Sequence, residues 1–334
     1  MRSQQGIALI TILIVVVLAT ILAASMAKRQ AHTASNTQYL LRQNQALWYA
    51  KSAEGFAIEL LNNDREQAGN IDHLQESWAQ PLPSFPVEDG SVSGQVIDES
   101  GKFNLNSLVG SDDVVNETAK RWFEQLLVRL DLPPQLSEAV IDWQDTNHET
   151  TGNMGAESDY YLSLSAGYAA PNQPFHQAEQ LKLVRGFEDQ KYQRVLPYVT
   201  ALPERNTRVN INTAPALLLA SLSPELKPEQ ISQMQQTRQA NISPFEDVES
   251  LWQQAEFAQL PSEQQNQWNS VLGVQSQFFQ VQALVSLNQR QRYLTSQVWR
   301  RQDKTVVYGR SLLPFDMPKT TTTMALADAV KQQN

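Results

Sequence analysis

The stretch Ile7-Ala8-Leu9-Ile10-Thr11-Ile12-Leu13-Ile14-Val15-Val16-Val17-Leu18-Ala19-Thr20-Ile21-Leu22-Ala23-Ala24-Ser25-Met26-Ala27 decides the architecture. It holds no charge, and Thr11, Thr20 and Ser25 alone interrupt its apolar character. As a helix rising ~1.5 Å per residue, the 21 residues of 7–27 cover ~31 Å, which matches the ~30 Å hydrocarbon core of a bilayer. A membrane-spanning helix follows. A cleaved secretory signal competes with it, because Ser25-Met26-Ala27 is an acceptable small-x-small site. The apolar run, however, exceeds the ~7–15 residues of a signal core. Charge does not set orientation: Arg2 stands before the span, and Lys28 and Arg29 stand after it.

Beyond the span no Gly occurs until Gly55 and no Pro until Pro81, while Leu40, Leu47, Ala50, Ala57, Leu60 and Leu61 recur at helical steps. The spacing predicts one helix over 7–61, with its first part in lipid and its second part laid on a core. Pro81-Leu82-Pro83-Ser84-Phe85-Pro86 reads as a breaker cluster, and residues 91–98 alternate in part as a strand does. Near the other end, Phe279, Val281, Ala283, Val285 and Leu287 share one face of a period-two run, with further strands expected at 293–300 and 305–312. Between these sheet segments the period is helical: Trp122, Leu126, Leu127 and Leu130; Ala139, Val140 and Trp143; Leu217, Leu218 and Leu222; Val248, Leu251 and Trp252. A helical domain inserted into a split antiparallel sheet is the expected plan, and from Asp316 onward an aperiodic polar tail.

A chain of 334 residues with 41% hydrophobic and 18% charged side chains buries a real core. Its net charge of -9 argues against broad contact with nucleic acid. The absence of Cys excludes disulfides, thiolate-bound zinc and a thiol nucleophile. The four His are scattered at 32, 73, 148 and 176, with no His-Glu-x-x-His and no Gly-x-Ser-x-Gly, so no enzyme is expected.

Chemistry concentrates in residues 142–159, where Asp142, Asp145, Asn147, Glu149, Glu157 and Asp159 are interleaved with Gly152 and Gly155. Closely spaced carboxylates on a turning backbone suit calcium, which takes six to eight oxygens. An EF-hand is excluded, because counting from Asp145 the sixth position is Thr150 and the twelfth is Ala156. On pattern alone, a metal loop and a solvated acidic loop stand level. Within residues 209–260, Val209-Asn210-Ile211-Asn212-Thr213-Ala214 leading into Leu217 to Leu222, with a second unit at Pro244-Phe245-Glu246-Asp247-Val248, resembles a helix-hairpin-helix DNA-binding repeat, and the resemblance implies a membrane-anchored DNA receptor as the alternative. Its connecting turn, Ser223-Pro224-Glu225-Leu226-Lys227-Pro228, lacks the Gly-hydrophobe-Gly that approaches phosphate. The segment also holds two basic residues against six acidic ones.

Met1-Arg2-Ser3-Gln4-Gln5-Gly6 followed by Ile7-Ala8-Leu9-Ile10-Thr11 resembles the leader and mature start of type IV pilins and type II secretion pseudopilins. The resemblance implies cleavage by a prepilin peptidase after Gly6 and N-methylation of Ile7. Most such chains carry Glu at the fifth mature position, where Thr11 stands here. That carboxylate is thought to neutralise the amine of the subunit ahead, so a subunit with nothing ahead has no use for it. Four further stretches are similar, in order and spacing, to the K-type minor pseudopilin family: Asp142-Trp143-Gln144-Asp145, Gly155-Ala156-Glu157-Ser158-Asp159-Tyr160-Tyr161, Leu181-Lys182-Leu183-Val184-Arg185-Gly186, and Val209-Asn210-Ile211-Asn212-Thr213-Ala214-Pro215.

The resemblance implies an α+β, pilin-like fold with a long N-terminal transmembrane helix and an antiparallel sheet, interrupted by a large inserted α-helical domain. Its layout would be a leader at 1–6, the helix at 7–61, pilin-like parts at 62–105 and 276–315 flanking an α-domain at 106–275, and a disordered tail at 316–334. It further implies structural Ca2+ held by Asp142, Asp145, Asn147, Glu149, Glu157 and Asp159. The implied place is the tip of the pseudopilus beside I-type and J-type minor pseudopilins, anchored once in the inner membrane with its bulk in the periplasm. There, by the same resemblance, it would initiate or cap assembly, touch exported proteins and meet no nucleic acid.

Overall fold

The computed structural model describes residues 4–188, 190–302 and 304–316, and their side chains except those of 4–7, 67 and 68. Residues 1–3 of the expected leader and 317–334 of the expected tail lie outside the described residues, as does the side chain of Ile7.

Helix α1 runs from Gln4 to Ala68, so it begins before the expected cleavage point and ends seven residues beyond the expected Leu61. The apolar period marked where the helix is buried, not where it stops. Residues 62–68 contain neither Gly nor Pro, and Gly69 at φ +83 supplies the left-handed turn that ends it. The helix is exposed from residue 8 to residue 42. It then lays Ala46, Ala50, Ala57 and Leu61 on a sheet. Three alanines among these four let the helix axis approach closely. Glu54 lies on the same buried face, where Arg310 grips both its oxygens at 2.8 Å and the Ser296 hydroxyl donates to it. Burial alone would raise its carboxyl; these bonds hold it below the usual value.

The sheet contains β1 (Leu82–Val87), β2 (Gly90–Asp98), β7 (Phe278–Leu287), β8 (Arg290–Arg300) and β9 (Thr305–Ser311) in that spatial order, each pair antiparallel. The expected breaker cluster at 81–86 is therefore mostly strand β1. Pro83 and Pro86 are tolerated because β1 is an edge, where missing N–H groups leave no ladder bond unmade. Strands β2 and β7 pair from Gly90↔Leu287 to Asp98↔Phe279, so everything from 99 to 277 departs from and returns to one end of two neighbouring strands.

That excursion contains β3 (Phe103–Asn104), α2 (Glu117–Arg129), α3 (Leu136–Asp142), α4 (Ser158–Leu162), α5 (Gln190–Val195), β4 (Val199–Thr200), β5 (Val209–Asn210), α6 (Ala216–Ala220), α7 (Pro228–Ala240), α8 (Glu249–Trp252), α9 (Ser262–Trp268) and β6 (Leu272–Gly273). Parallel pairs β3–β4 and β5–β6 tie its ends together. Phe103 already stacks on Phe123 at 5.3 Å, so the chain enters this domain before the expected residue 106. The domain has its own continuous core, around Trp122, Phe123, Leu126, Tyr161, Phe187 and Phe257. The α1–sheet core forms separate clusters.

Where the two parts meet, the contacts are polar and buried. Asp98 accepts from Thr213 and Ser276 hydroxyls at 2.5 Å each and from the Ser100 N–H at 2.8 Å. Asn210 donates to the Asp72 carbonyl at 3.0 Å and to Ser276 Oγ at 2.7 Å. Arg300 bonds the carboxylate of Asp72 and the Ser276 carbonyl, reaches Asp64 Oδ2 at 3.4 Å, and lies 4.9 Å from the Phe279 ring centroid. Burial raises Asp98 to about 6, Asp64 to about 6 and Glu76 to about 7. The folded state therefore holds more protons than the unfolded chain between about pH 4 and 7, and stability falls as pH rises through that range. With a chelator present, melting temperature is expected to be higher at pH 5.5 than at pH 8; a flat profile would contradict it.

Candidate metal centre

Helix α3 ends at Asp142, and the chain continues one further turn so that the N–H groups of Gln144 and Asp145 both bond the Ile141 carbonyl. A separation of three residues on that turn puts Asp142 and Asp145 on one face. Trp143, between them, points the other way into an aromatic plate: Tyr161 at 5.3 Å, edge-on, and Phe175 at 6.1 Å, stacked. Glu157 is the residue that precedes α4, so Tyr161 anchors α4 against Trp143 while Glu157 at its start faces the two aspartates. Asp142, Asp145 and Glu157 are all buried, and each presents a carboxylate oxygen within 4.8 Å of the others.

The intervening loop is shaped for this approach. Asp142 accepts the Thr151 N–H on both oxygens, at 3.0 and 3.2 Å. A Cβ on Gly155 would stand 2.4 Å from Asp142 Oδ2 and 2.3 Å from the Thr151 carbonyl oxygen. Gly152, at φ +59, passes over the Glu138 carboxylate, which accepts the Met154 N–H at 2.7 Å. Gly155→Ala is expected to cost about 1–3 kcal/mol by forcing this turn apart. The check is urea unfolding, where a loss under 0.5 kcal/mol, an order-of-magnitude bound for neutral surface changes, would show the loop to be loose.

The electrostatics fit a hard cation. Asp145 Oδ1 and both Glu157 oxygens are buried without hydrogen-bond partners, although buried polar atoms are almost always paired. Burial, then the charges of Asp142 and Asp113, push Asp145 to about 6. Burial, then Asp142 and Asp145, push Glu157 to about 7. Burial raises Asp142 as well. Three enclosed carboxylates, two of them with unpartnered oxygens, suit a divalent ion with oxygen ligands.

The remaining expected ligands are placed differently. Asn147 and Glu149 are exposed, and Asn147 Oδ1 is turned back onto the Glu149 N–H at 2.7 Å. Asp159 is exposed in the first turn of α4, outside the cluster. Sequence spacing put six candidate residues in one loop; the Asn147 side chain stays beside Asp145 while its oxygen accepts the Glu149 N–H, and the start of α4 sets Asp159 apart. Asp113 was missed. It lies in a turn thirty residues earlier at φ +62, accepts the Thr146 N–H at 3.0 Å, and keeps Oδ1 buried and unpaired beside the cluster. The Gly110-Ser111-Asp112-Asp113 turn was its only trace in the sequence. Asn172, at φ +45, also joins the loop by donating to the Asn147 carbonyl at 2.9 Å. In the helix-hairpin-helix segment, Arg238 is spent internally, 3.8 Å from the Phe245 ring centroid and bonded to the Pro244 carbonyl.

A long helix, bare in its first part and packed on an antiparallel sheet in its second, with a helical domain inserted between adjacent strands, defines a pilin-like protein. Profiles described as type II secretion system (T2SS) protein K match residues 101–204 and 209–274. The chain is 32% identical over 333 residues to the type II secretion system protein K of Pseudomonas aeruginosa, covering 96% of each. It is 37% identical to that of Klebsiella pneumoniae, covering 72% of this chain and 76% of the relative. The chain belongs to the type II secretion system protein K family. Its fold also matches a chain of the GspK-GspI-GspJ complex from the enterotoxigenic Escherichia coli Type 2 Secretion System, with a TM-score of 0.75 and 25% identity over 84% of this chain and 100% of that one.

Proposed function

We propose that this chain is a minor pseudopilin at the tip of the type II secretion pseudopilus, where it initiates or caps assembly as a structural, non-catalytic subunit. The observation that carries the reading is the bulk of the inserted domain, residues 99–277, branching from one end of β2 and β7. A body of that size beside each subunit would obstruct a tightly wound filament, whereas one copy at an end is accommodated. Thr11 at the position of the usual Glu agrees, and its hydroxyl is satisfied by the Ala8 carbonyl at 2.9 Å. The helix over Ala8–Glu66 is long and apolar enough to cross a membrane, and its most apolar window is wholly exposed, as a lipid-facing segment would be.

On this reading a prepilin peptidase cuts after Gly6, Ile7 is N-methylated, the helix sits in the inner membrane and the remainder stands in the periplasm. The partners are I-type and J-type minor pseudopilins, with exported proteins meeting the α-domain. The ion held by Asp142, Asp145 and Glu157 is calcium, with a structural role: it neutralises the enclosed carboxylates and fixes α3 against α4.

The N-terminus of the protein isolated from its own cells tests the assignment. Intact mass and terminal-peptide analysis are expected to show a methylated Ile7. An intact Met1, or a terminus after Ala27, would sink the pseudopilus reading.

A further inference from the structure

Residues 1–53 contain five basic side chains, Arg2, Lys28, Arg29, Arg42 and Lys51, and no Asp or Glu, in a chain whose net charge is -9. The first carboxylate along α1, Glu54, is taken by Arg310 and Ser296. Beside this stretch, the β7–β8 turn passes through Asn288 and Gln289, both left-handed, and returns along α1. It places Arg290 5.0 Å from the Tyr39 ring centroid and joins Arg292 Nη1 to Gln43 Oε1 at 2.9 Å. With Arg42 these side chains line a cavity of ≈ 290 Å³ between helix and turn, and no acidic residue is among the described residues of its wall. Arg292 Nε is buried there without a hydrogen-bond partner among the described residues. Three guanidiniums converging on one cavity repel one another until an anion enters, and a carboxylate matches their planar donors.

The position selects among anions. Arg42 stands ~22 Å along the helix beyond Ala27, whereas the headgroup layer is only ~5–8 Å deep. A helix tilt of ~40° still leaves ~17 Å, so lipid phosphates do not reach the cavity. A helix lying along α1 does reach it, because α1 is exposed over 8–42. A second copy of this chain would offer only more positive charge over the corresponding stretch.

We propose that the Arg42–Arg290–Arg292 cavity receives a carboxylate from the helix of a different minor pseudopilin lying along α1, and that the same charge rejects a second copy of this chain there. The inference rests on the assembly reading above and adds the contact that makes the assembly heteromeric.

The test co-expresses the full-length chain with the I-type and J-type minor pseudopilins of its own secretion system and recovers the complex from solubilised membranes. Arg42 and Arg290 are the residues to change, since both are exposed and neither anchors the sheet. Arg42→Glu with Arg290→Glu is expected to reduce partner recovery at least about tenfold at unchanged melting temperature, and rising salt should weaken recovery by the parent chain. The milder Arg42→Ala should show a smaller loss in the same direction. Undiminished recovery by the charge-reversed chain, with the parent recovering its partners, overturns the cavity assignment alone. A parent that recovers neither partner overturns the assembly reading, and the cavity with it. Loss of binding to phosphatidylglycerol vesicles, with partner recovery intact, would assign the cavity to lipid instead.

Discussion

Calcium added to chelator-treated protein is expected to raise its melting temperature by about 5–10 °C. The figure follows from linkage: an ion at a hundredfold excess over its dissociation constant stabilises the native state by about 2.7 kcal/mol. Each kcal/mol moves the midpoint of a domain of ordinary size by about 2–4 °C. The metal-free site encloses Asp142, Asp145 and Glu157 with mutual repulsion and with unpartnered oxygens on the last two, so it begins from an unfavourable electrostatic state. Two variants give opposite signs in one experiment. Glu157→Gln and Asp145→Asn remove a repelling charge and should stabilise the metal-free protein slightly, yet each should abolish most of the calcium response. Asn147→Ala and Glu149→Gln, on exposed residues, should leave that response nearly whole. Differential scanning fluorimetry with and without a chelator checks all four. Equal responses from parent and Glu157→Gln would remove the calcium assignment.

Arg300→Leu is expected to cost about 3–5 kcal/mol, the usual result of taking one partner from a buried ion pair. Arg300 is 7% exposed and holds three separate segments: the end of α1 through Asp64 and the Leu61 carbonyl, the following loop through Asp72, and the return into β7 through the Ser276 carbonyl and the Phe279 ring. Its loss leaves the Asp72 and Asp64 carboxyl groups enclosed without their cation. Combining Arg300→Leu with Asp72→Asn should cost less than the sum of the two alone, because the second change removes the charge that the first strands. Urea unfolding of the portion beyond residue 27 measures both; strict additivity would mean that the pair contributes nothing as a pair. Because this network lies where α-domain and sheet join, the Arg300 variant is also expected to release the two parts before either core melts, visible as two transitions by near-UV and far-UV signals.

Periodicity was sufficient for elements that bury one face. Phe279, Val281, Ala283, Val285 and Leu287 alternate because every second side chain of β7 meets α1, and all five are buried. The second half of α1 was legible for the same reason, through Ala50, Ala57 and Leu61. Strand β1 was not, because its strand character comes from pairing with β2 while its own residues are largely exposed and two are Pro. The end of α1 was misplaced because polar residues 62–68 continue a helix without contributing to its apolar stripe. In the acidic loop, composition named Asp142, Asp145 and Glu157, and it named Asn147, Glu149 and Asp159 equally.

The sequence by itself therefore determined the membrane helix, the split sheet, the helical insertion and the segment in which acidic oxygens gather, since each depends on local period or local composition. Only the tertiary structure decided which oxygens converge. It turned Asn147 back on its own backbone, put Asp159 outside, and brought in Asp113 from a turn far away in the chain. The same is true of the Arg300 junction and of the basic cavity beside α1, whose members come from distant stretches. Contacts of that kind are set by how separately formed elements pack, and no spacing along a single segment encodes them.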